Sequence, residues 1–237
     1  MKFISILPIS QMDEQFNQYT VMLLAHLSKK YPEYAKRAAE YDGYKIMDNS
    51  IIEIGEAFTM ESLIEEAIKC DVQEIILPDV FNNGQATVKK VKESIEWLRE
   101  NGYLGRFKLM AVCHGSNKYE LDCTFKTLEN IPEIDVIGLP KVLSTWLGFR
   151  IDKANEFAKQ TNKEIHLLGC WDSLEEYKNA NLSLIRSTDT CMPSLLTKYG
   201  MNVWDWRNGR KFDLEKDNID LGKYKSLMKE FYENCCL

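Results

Sequence analysis

Short apolar runs, each followed by a stretch long enough and amphipathic enough for a helix, recur along this chain, and that alternation constrains its fold most. The runs at 3–8, 44–47, 75–77, 108–112, 135–139, 165–168 and 182–185 predict seven strands, with an eighth at 201–204. Helical spacing covers most of 15–41, where Tyr19, Met22, Leu23, His26 and Leu27 recur, and then about 59–70, 87–101, 118–129, 143–160, 172–179 and 193–199. Thr59 is a good N-cap for the second of these. A last amphipathic helix is expected at 219–234. Strands apolar on both faces and separated by helices belong to a parallel sheet covered by helices. Eight such units make an α/β fold, a (β/α)8 TIM barrel with a C-terminal helix; an open doubly wound sheet is the alternative. Polar or small residues stand at the C-terminal ends of run after run: Asp48, Asp79, His114, Gly138, Gly169 and Asp189. That favours the barrel, which gathers every strand end around one mouth, over the open sheet, which has one crevice.

The 237 residues are 45% hydrophobic, enough for a full core, and no linker or low-complexity tract divides them, so a single domain over 1–237 is expected. Seven cysteines, several inside apolar runs, predict buried thiols in a reducing, cytoplasmic setting rather than a disulfide framework. The opening MKFISILPIS has too short an apolar run for an export leader and lacks a cleavage pattern. No run reaches 18 apolar residues, so no membrane partner is expected. A net charge of −6 argues against a non-specific nucleic-acid coat. Yet the segment 198–211 sets Lys198, Arg207, Arg210 and Lys211 against Asp205 alone, with Trp204 and Trp206 interleaved. Such a segment can hold phosphates while a tryptophan covers an unstacked base; a solvated hairpin with core tryptophans is the plainer alternative.

A carboxylate at a strand end is where an α/β enzyme keeps a nucleophile or a base. Asp189 follows the run 182–185, and its plainer role is to cap the next helix, which Pro193 helps to open. Asp48, in Asp48-Asn49-Ser50, is the second candidate; an Asx-turn ending the strand is its modest version, and Glu53 and Glu56 lie nearby. Asp79 follows Pro78, and a carboxylate there suits a ring N–H and an exocyclic amine, the pair a guanine-like base presents. His114 follows Val112-Cys113; His26 is expected to pack on a helix face, and His166 is left between the barrel lining and a helix. Gly138 and Gly169 can let backbone approach a ligand closely. No metal-ligand spacing and no phosphate-binding or dinucleotide glycine signature is present.

Taken together, these segments resemble the tRNA-guanine transglycosylases and their relatives that insert 7-deazaguanine bases into DNA. Asp189-Thr190-Cys191-Met192-Pro193 resembles the family's nucleophile segment and continues through Thr197-Lys198-Tyr199-Gly200. Met47-Asp48-Asn49-Ser50 resembles the loop of the other catalytic aspartate, without the usual Ser-Gly-Gly. Leu77-Pro78-Asp79-Val80 resembles the segment whose aspartate reads the base, and Val112-Cys113-His114-Gly115 stands where the family has glutamine before glycine. Asp135-Val136-Ile137-Gly138-Leu139 resembles the loop that contacts the base through its backbone. The structural zinc segment and the added RNA-binding domain of the tRNA enzymes are absent from the sequence, so it looks more like the small DNA-modifying relatives of phages and bacterial modification islands.

The resemblance implies base exchange by double displacement. Asp189 attacks C1′ and expels guanine, and Asp48 handles the N9 proton of an incoming 7-deazaguanine such as preQ0. Asp79, His114, Asn49 and the backbone at Gly138 orient the bases, and Lys198, Arg207, Arg210, Lys211 and Trp204 meet the nucleic acid. The expected partners are DNA, or alternatively tRNA, and the free base; a second copy or a DNA-modification protein is left open. No cofactor is needed to exchange one N-glycosidic bond for another. A barrel glycosidase or nucleoside hydrolase using the same aspartates is the other enzymatic reading, and a non-enzymatic nucleic-acid-binding module is a third.

Overall fold

The computed structural model describes residues 1–143, 150–170, 172–181 and 183–235. Eight strands lie in it: β1 (Lys2–Ser5), β2 (Thr20–Leu24), β3 (Tyr44–Asp48), β4 (Glu74–Ile76), β5 (Lys108–Val112), β6 (Val136–Pro140), β7 (Glu164–Leu168) and β8 (Ser187–Thr190). Every hydrogen-bonded neighbour is parallel, in the order β1-β8-β7-β6-β5-β4-β3-β2. With β1 and β2 side by side, the sheet closes into an eight-stranded barrel inside a layer of helices, as the alternation predicts.

Two predicted strands are not strands, and one strand stood inside a predicted helix. In the run 182–185, Leu184 and Ile185 both donate their N–H groups to the Asn181 carbonyl in a turn, and Leu182 lies outside the described residues. Residues 201–204 also form no strand; Asp205 N–H closes a turn onto Asn202. The missing members are β8, one step later and more polar than any run the pattern selected, and β2. The five β2 residues are all buried and run directly into the helix Ala25–Lys30, so strand and helix together imitate one helical pattern. Tyr19 belongs to neither buried face, being 79% exposed. Elsewhere the elements agree closely: the helices Met60–Lys69, Gly84–Glu100, Lys118–Glu129 and Met192–Tyr199 fall where they are expected. Thr59 accepts a hydrogen bond from the Ser62 N–H as its N-cap. Asn83 closes a turn onto the Val80 carbonyl and caps the helix Gly84–Glu100, its side chain accepting the Ala86 N–H. Residues 144–149 of the predicted helix 143–160 lie outside the described residues; Arg150–Gln160 is helical.

Strand residues divide by parity between two apolar clusters, the signature of a barrel with helices outside it. Ile4, Met22, Ile46, Ile76, Met110, Val112 and Val136 pack inside the barrel. Val21, Leu23, Met47, Ile75, Leu109, Ile137, Ile165 and Leu167 face the helices. At the N-terminal ends of the strands the interior is polar: Arg186 makes paired bonds of 2.8 and 2.9 Å to the fully buried Glu74 and one of 3.1 Å to Glu164. Tyr44 donates its hydroxyl to Glu74 at 2.7 Å.

The β1–β2 seam closes differently from the others. Gln15 donates to the Met22 carbonyl at 2.9 Å and accepts the Leu7 N–H at 3.2 Å, so its carboxamide bridges β2 and the segment that follows β1 as a peptide group would. Gln18 exchanges two 2.7 Å bonds with the backbone of Ser5. The last helix, Leu221–Cys235, docks on this chain's own barrel, with Phe231 fully buried against Phe3 and Trp204.

Candidate active site

The C-terminal ends of the strands open into one cavity of about 420 Å³. Its wall takes Asp48 from the end of β3, Asp79 from the loop after β4, His114 from the loop after β5, Gly169 from the loop after β7, and Asp189 from β8 itself. Asn49, Glu53, Phe81, Lys141 and Arg207 complete its polar and aromatic lining. Four carboxylates and two cations thus share a volume in the size range of a small-molecule site.

Asp189 does not cap the following helix. Cys191 occupies the N-cap without a side-chain bond, and the Thr190 hydroxyl takes the Met192 N–H. The Asp189 side chain turns to the barrel instead, where Oδ1 lies 3.0 Å from His166 Nε2 and accepts the Gly169 N–H at 3.2 Å. Oδ2 has no hydrogen-bond partner among the described residues. Gly169 has φ +64°, and a Cβ there would meet the Lys141 side chain at 3.0 Å, so the backbone that presents this N–H requires glycine. Its carbonyl is held by the fully buried Arg150, which also binds the Leu168 and Leu139 carbonyls and Glu176.

Asp48 does form the Asx-turn, with Oδ1 accepting the Ser50 N–H at 2.5 Å, and it lines the cavity as well. Burial pushes its carboxyl well above the usual carboxylate range, and the charges of Glu53, Asp189 and Asp79 add to that against the Ser50 N–H. Ser50 is held from behind: its hydroxyl accepts the His26 backbone N–H at 3.1 Å and lies 3.0 Å from His26 Nδ1. His26 therefore does more than pack. Glu53 is largely exposed at the mouth, yet its carboxyl is raised too, by partial desolvation first and by Asp189, while Lys141 opposes the shift.

Asp79 sits in a closed set of bonds. Asn49 donates to its Oδ1 at 2.8 Å, and His114 Nε2 lies 2.5 Å from Oδ2. The Asn82 N–H donates to His114 Nδ1 at 3.3 Å, so that nitrogen is an acceptor and the ring proton sits on Nε2, facing Asp79. Both His114 nitrogens and both Asn49 N–H groups, the second on the Leu77 carbonyl, are engaged within the protein. Asp79, with one hydrogen bond to each oxygen, keeps acceptor capacity for a ligand.

Other predicted contacts separate. Gly138 is not on the cavity wall; a Cβ there would lie 2.8 Å from Leu168 Cδ1 and 3.2 Å from Met110 Sδ, so it makes room inside the barrel. From the basic segment only Arg207 reaches the cavity. Lys198 is neutralised by Asp217 at 2.7 Å, Arg210 lies over the Tyr199 ring, Lys211 is exposed, and Trp204 is covered by Lys178 and Phe231. Trp206, beside Arg207, is 53% exposed.

Lys141 and His166 are the two residues the sequence analysis passed over. In Glu164-Ile165-His166-Leu167-Leu168 the alternate residues 164, 166 and 168 face the barrel interior while Ile165 and Leu167 face the helices, and the apolar residues on both sides of His166 hide that parity in the sequence. Among the described residues no group of three His, Cys, Asp or Glu side chains has the arrangement of a metal site. The described cysteines 70, 113, 123, 170 and 191 are free thiols, and no helix among the described residues is long and apolar enough to cross a membrane.

Comparison with protein-family models gives no match for this chain, and comparison with curated protein sequences gives none. The fold is a generic enzyme scaffold of parallel strands and helices, compatible with glycosidase and transglycosylase chemistry; which chemistry must be argued from the site.

Proposed function

We propose that this chain exchanges guanine in DNA for a 7-deazaguanine base through a covalent aspartyl-glycosyl intermediate. The observation that carries the proposal is Asp189: one carboxylate oxygen held by two donors, the other unbonded, on a cavity it shares with a carboxyl raised toward the protonated form. Asp189 Oδ2 attacks C1′, the C1′–N9 bond breaks, and its electron pair leaves on guanine N9, which takes a proton from Asp48. The entering base gives its N9 proton to Asp48 and attacks C1′, and the pair of the C1′–Oδ2 bond returns to Asp189. Guanine leaves, deazaguanine enters, and no electrons are gained or lost. Asp79 accepts hydrogen bonds from the base edge, while Asn49 and His114 hold it in place. Lys141 and Arg207 at the mouth suit the flanking phosphates. The target nucleotide must leave the stack to reach the cavity, and exposed Trp206 and Phe81 offer faces for unstacked bases.

The test is incubation with guanine-containing DNA, or with tRNA, plus preQ0 or preQ1, followed by digestion and mass spectrometry of the nucleosides, with Asp189→Ala alongside. Deazaguanine in DNA, abolished in the variant, is the expected result. Incorporation into tRNA alone would reverse the choice of polymer. Guanine release without incorporation would replace the transferase by a hydrolase, and exchange by Asp189→Ala would end the scheme.

A further inference from the structure

We infer that His166 is a positioning residue for Asp189, fixing which carboxylate oxygen attacks; this rests on the proposed role of Asp189 as nucleophile. His166 is fully buried inside the barrel and is not on the cavity wall, so it touches no substrate. Its Nε2 stands 3.0 Å from Asp189 Oδ1, and its Nδ1 stands 2.7 Å from Ser187 Oγ.

The direction of these bonds follows from the groups at the two ends of the chain of contacts. Arg186 Nε, 3.0 Å from Ser187 Oγ, can only donate. The Ser187 oxygen therefore accepts there, and its hydroxyl hydrogen is free to point at His166 Nδ1. At the other end Asp189 Oδ1, a carboxylate oxygen, can only accept, so the ring proton sits on Nε2, aimed at it, and Nδ1 accepts the Ser187 hydroxyl. Arg186 cannot swing away, because Glu74 holds it with two bonds at the N-terminal ends of the strands. The Arg186 guanidinium thus leaves the Ser187 hydroxyl hydrogen free to support that tautomer from the opposite side of the ring. With His166 and the Gly169 N–H both on Oδ1, the Asp189 carboxylate cannot rotate freely, and Oδ2 is left to form the glycosyl bond. When that bond breaks, the same two donors receive the returning negative charge.

The test compares His166→Leu, which removes the donor, with His166→Gln, whose carboxamide can restore it. His166→Leu should lower kcat by about 10- to 100-fold, the range a hydrogen bond to a charged group spans, with KM within about twofold. In carbon-13 spectra of the free protein, the Asp189 carboxyl resonance should move in His166→Leu relative to the parent, and His166→Gln should return both properties toward the parent. An unchanged carboxyl resonance and kcat in folded His166→Leu would overturn the inference, as would a Gln variant as impaired as the Leu variant. If His166→Leu does not fold, the parent decides: nitrogen-15 shifts of His166 should show the proton on Nε2, and a ring with its proton on Nδ1 and Nε2 bare overturns the inference. Failure of the exchange reading would look different, because Asp189→Ala would stay active while the effect of His166→Leu on the Asp189 resonance of the free protein persisted.

Discussion

Burial in the cavity wall and the charge of Glu53 push the Asp48 carboxyl upward, with Asp189 and Asp79 adding to them, and one backbone N–H from Ser50 pulls it down. The consequence for stability has a definite sign. In the unfolded chain Asp48 ionises near pH 3.9. As pH rises past that value the unfolded state loses its proton while the folded state keeps it, so folding is progressively disfavoured until the raised folded value is passed. Below both values the group has no effect. Asp48→Asn keeps the acceptor for the Ser50 N–H and cannot ionise. It should therefore melt with the parent near pH 4 and above it at pH 8, while exchange falls by about 10²- to 10⁴-fold through loss of the proton carrier. Melting curves at a series of pH values check this; parallel curves would mean that the carboxyl is not raised. A residue whose removal stabilises the fold and abolishes turnover is held there by function.

At the scale of elements the seam between β1 and β2 is the least ordinary part of the barrel, since glutamine carboxamides stand where other strand pairs exchange backbone bonds. Gln15 is buried, and its replacement by Met leaves the Leu7 N–H and the Met22 carbonyl without their partner at nearly unchanged volume. Each orphaned group costs about 1–3 kcal/mol, and a kcal/mol shifts Tm by roughly 2–4 °C in a chain of this size. Gln15→Met should lower Tm by about 4–24 °C on that arithmetic; a change under a degree would show that the seam is closed by packing alone. The same seam explains what was hard to read from sequence. β2 has no turn between it and the next helix and no polar face to give it a period of two, so helical spacing claimed it. β8 reads Ser-Thr-Asp-Thr because its inward residues Ser187 and Asp189 serve a polar chain of contacts, and the more apolar run before it drew the prediction instead. The catalytic candidates were legible for the opposite reason: a barrel puts strand ends at one mouth, so Asp48, Asp79, His114 and Asp189 could be found without knowing the register. His166 could not, because its direction depends on the register of β7 against β8, His166 opposite Ser187.

For the molecule as a whole the charge balance poses the sharpest question. A chain of net charge −6 repels a polyanion, and the basic segment that the sequence offers as a remedy is mostly spent within the protein. Lys198 pairs with Asp217 and Arg210 covers Tyr199. Lys141 and Arg207 differ: both line the cavity, and neither makes an ion pair among the described residues. Their charges act together on the one thiol between them, each pulling the Cys191 value down against its burial. If these two cations hold the phosphates beside the target nucleotide, each should release counterions when the strand binds, which appears as the slope of log affinity against log salt. Lys141→Ala and Arg207→Ala should each reduce that slope by about 0.7–0.9 and raise KM for an oligonucleotide, leaving kcat at saturation within about twofold. Lys198→Ala, already neutralised in the parent, should leave the slope where it was. Fluorescence anisotropy with a labelled guanine-containing oligonucleotide over a range of salt concentrations separates the cases. Equal slopes in all three variants would move the strand off the mouth and onto another face of the barrel, and with it the path by which a nucleotide enters the cavity.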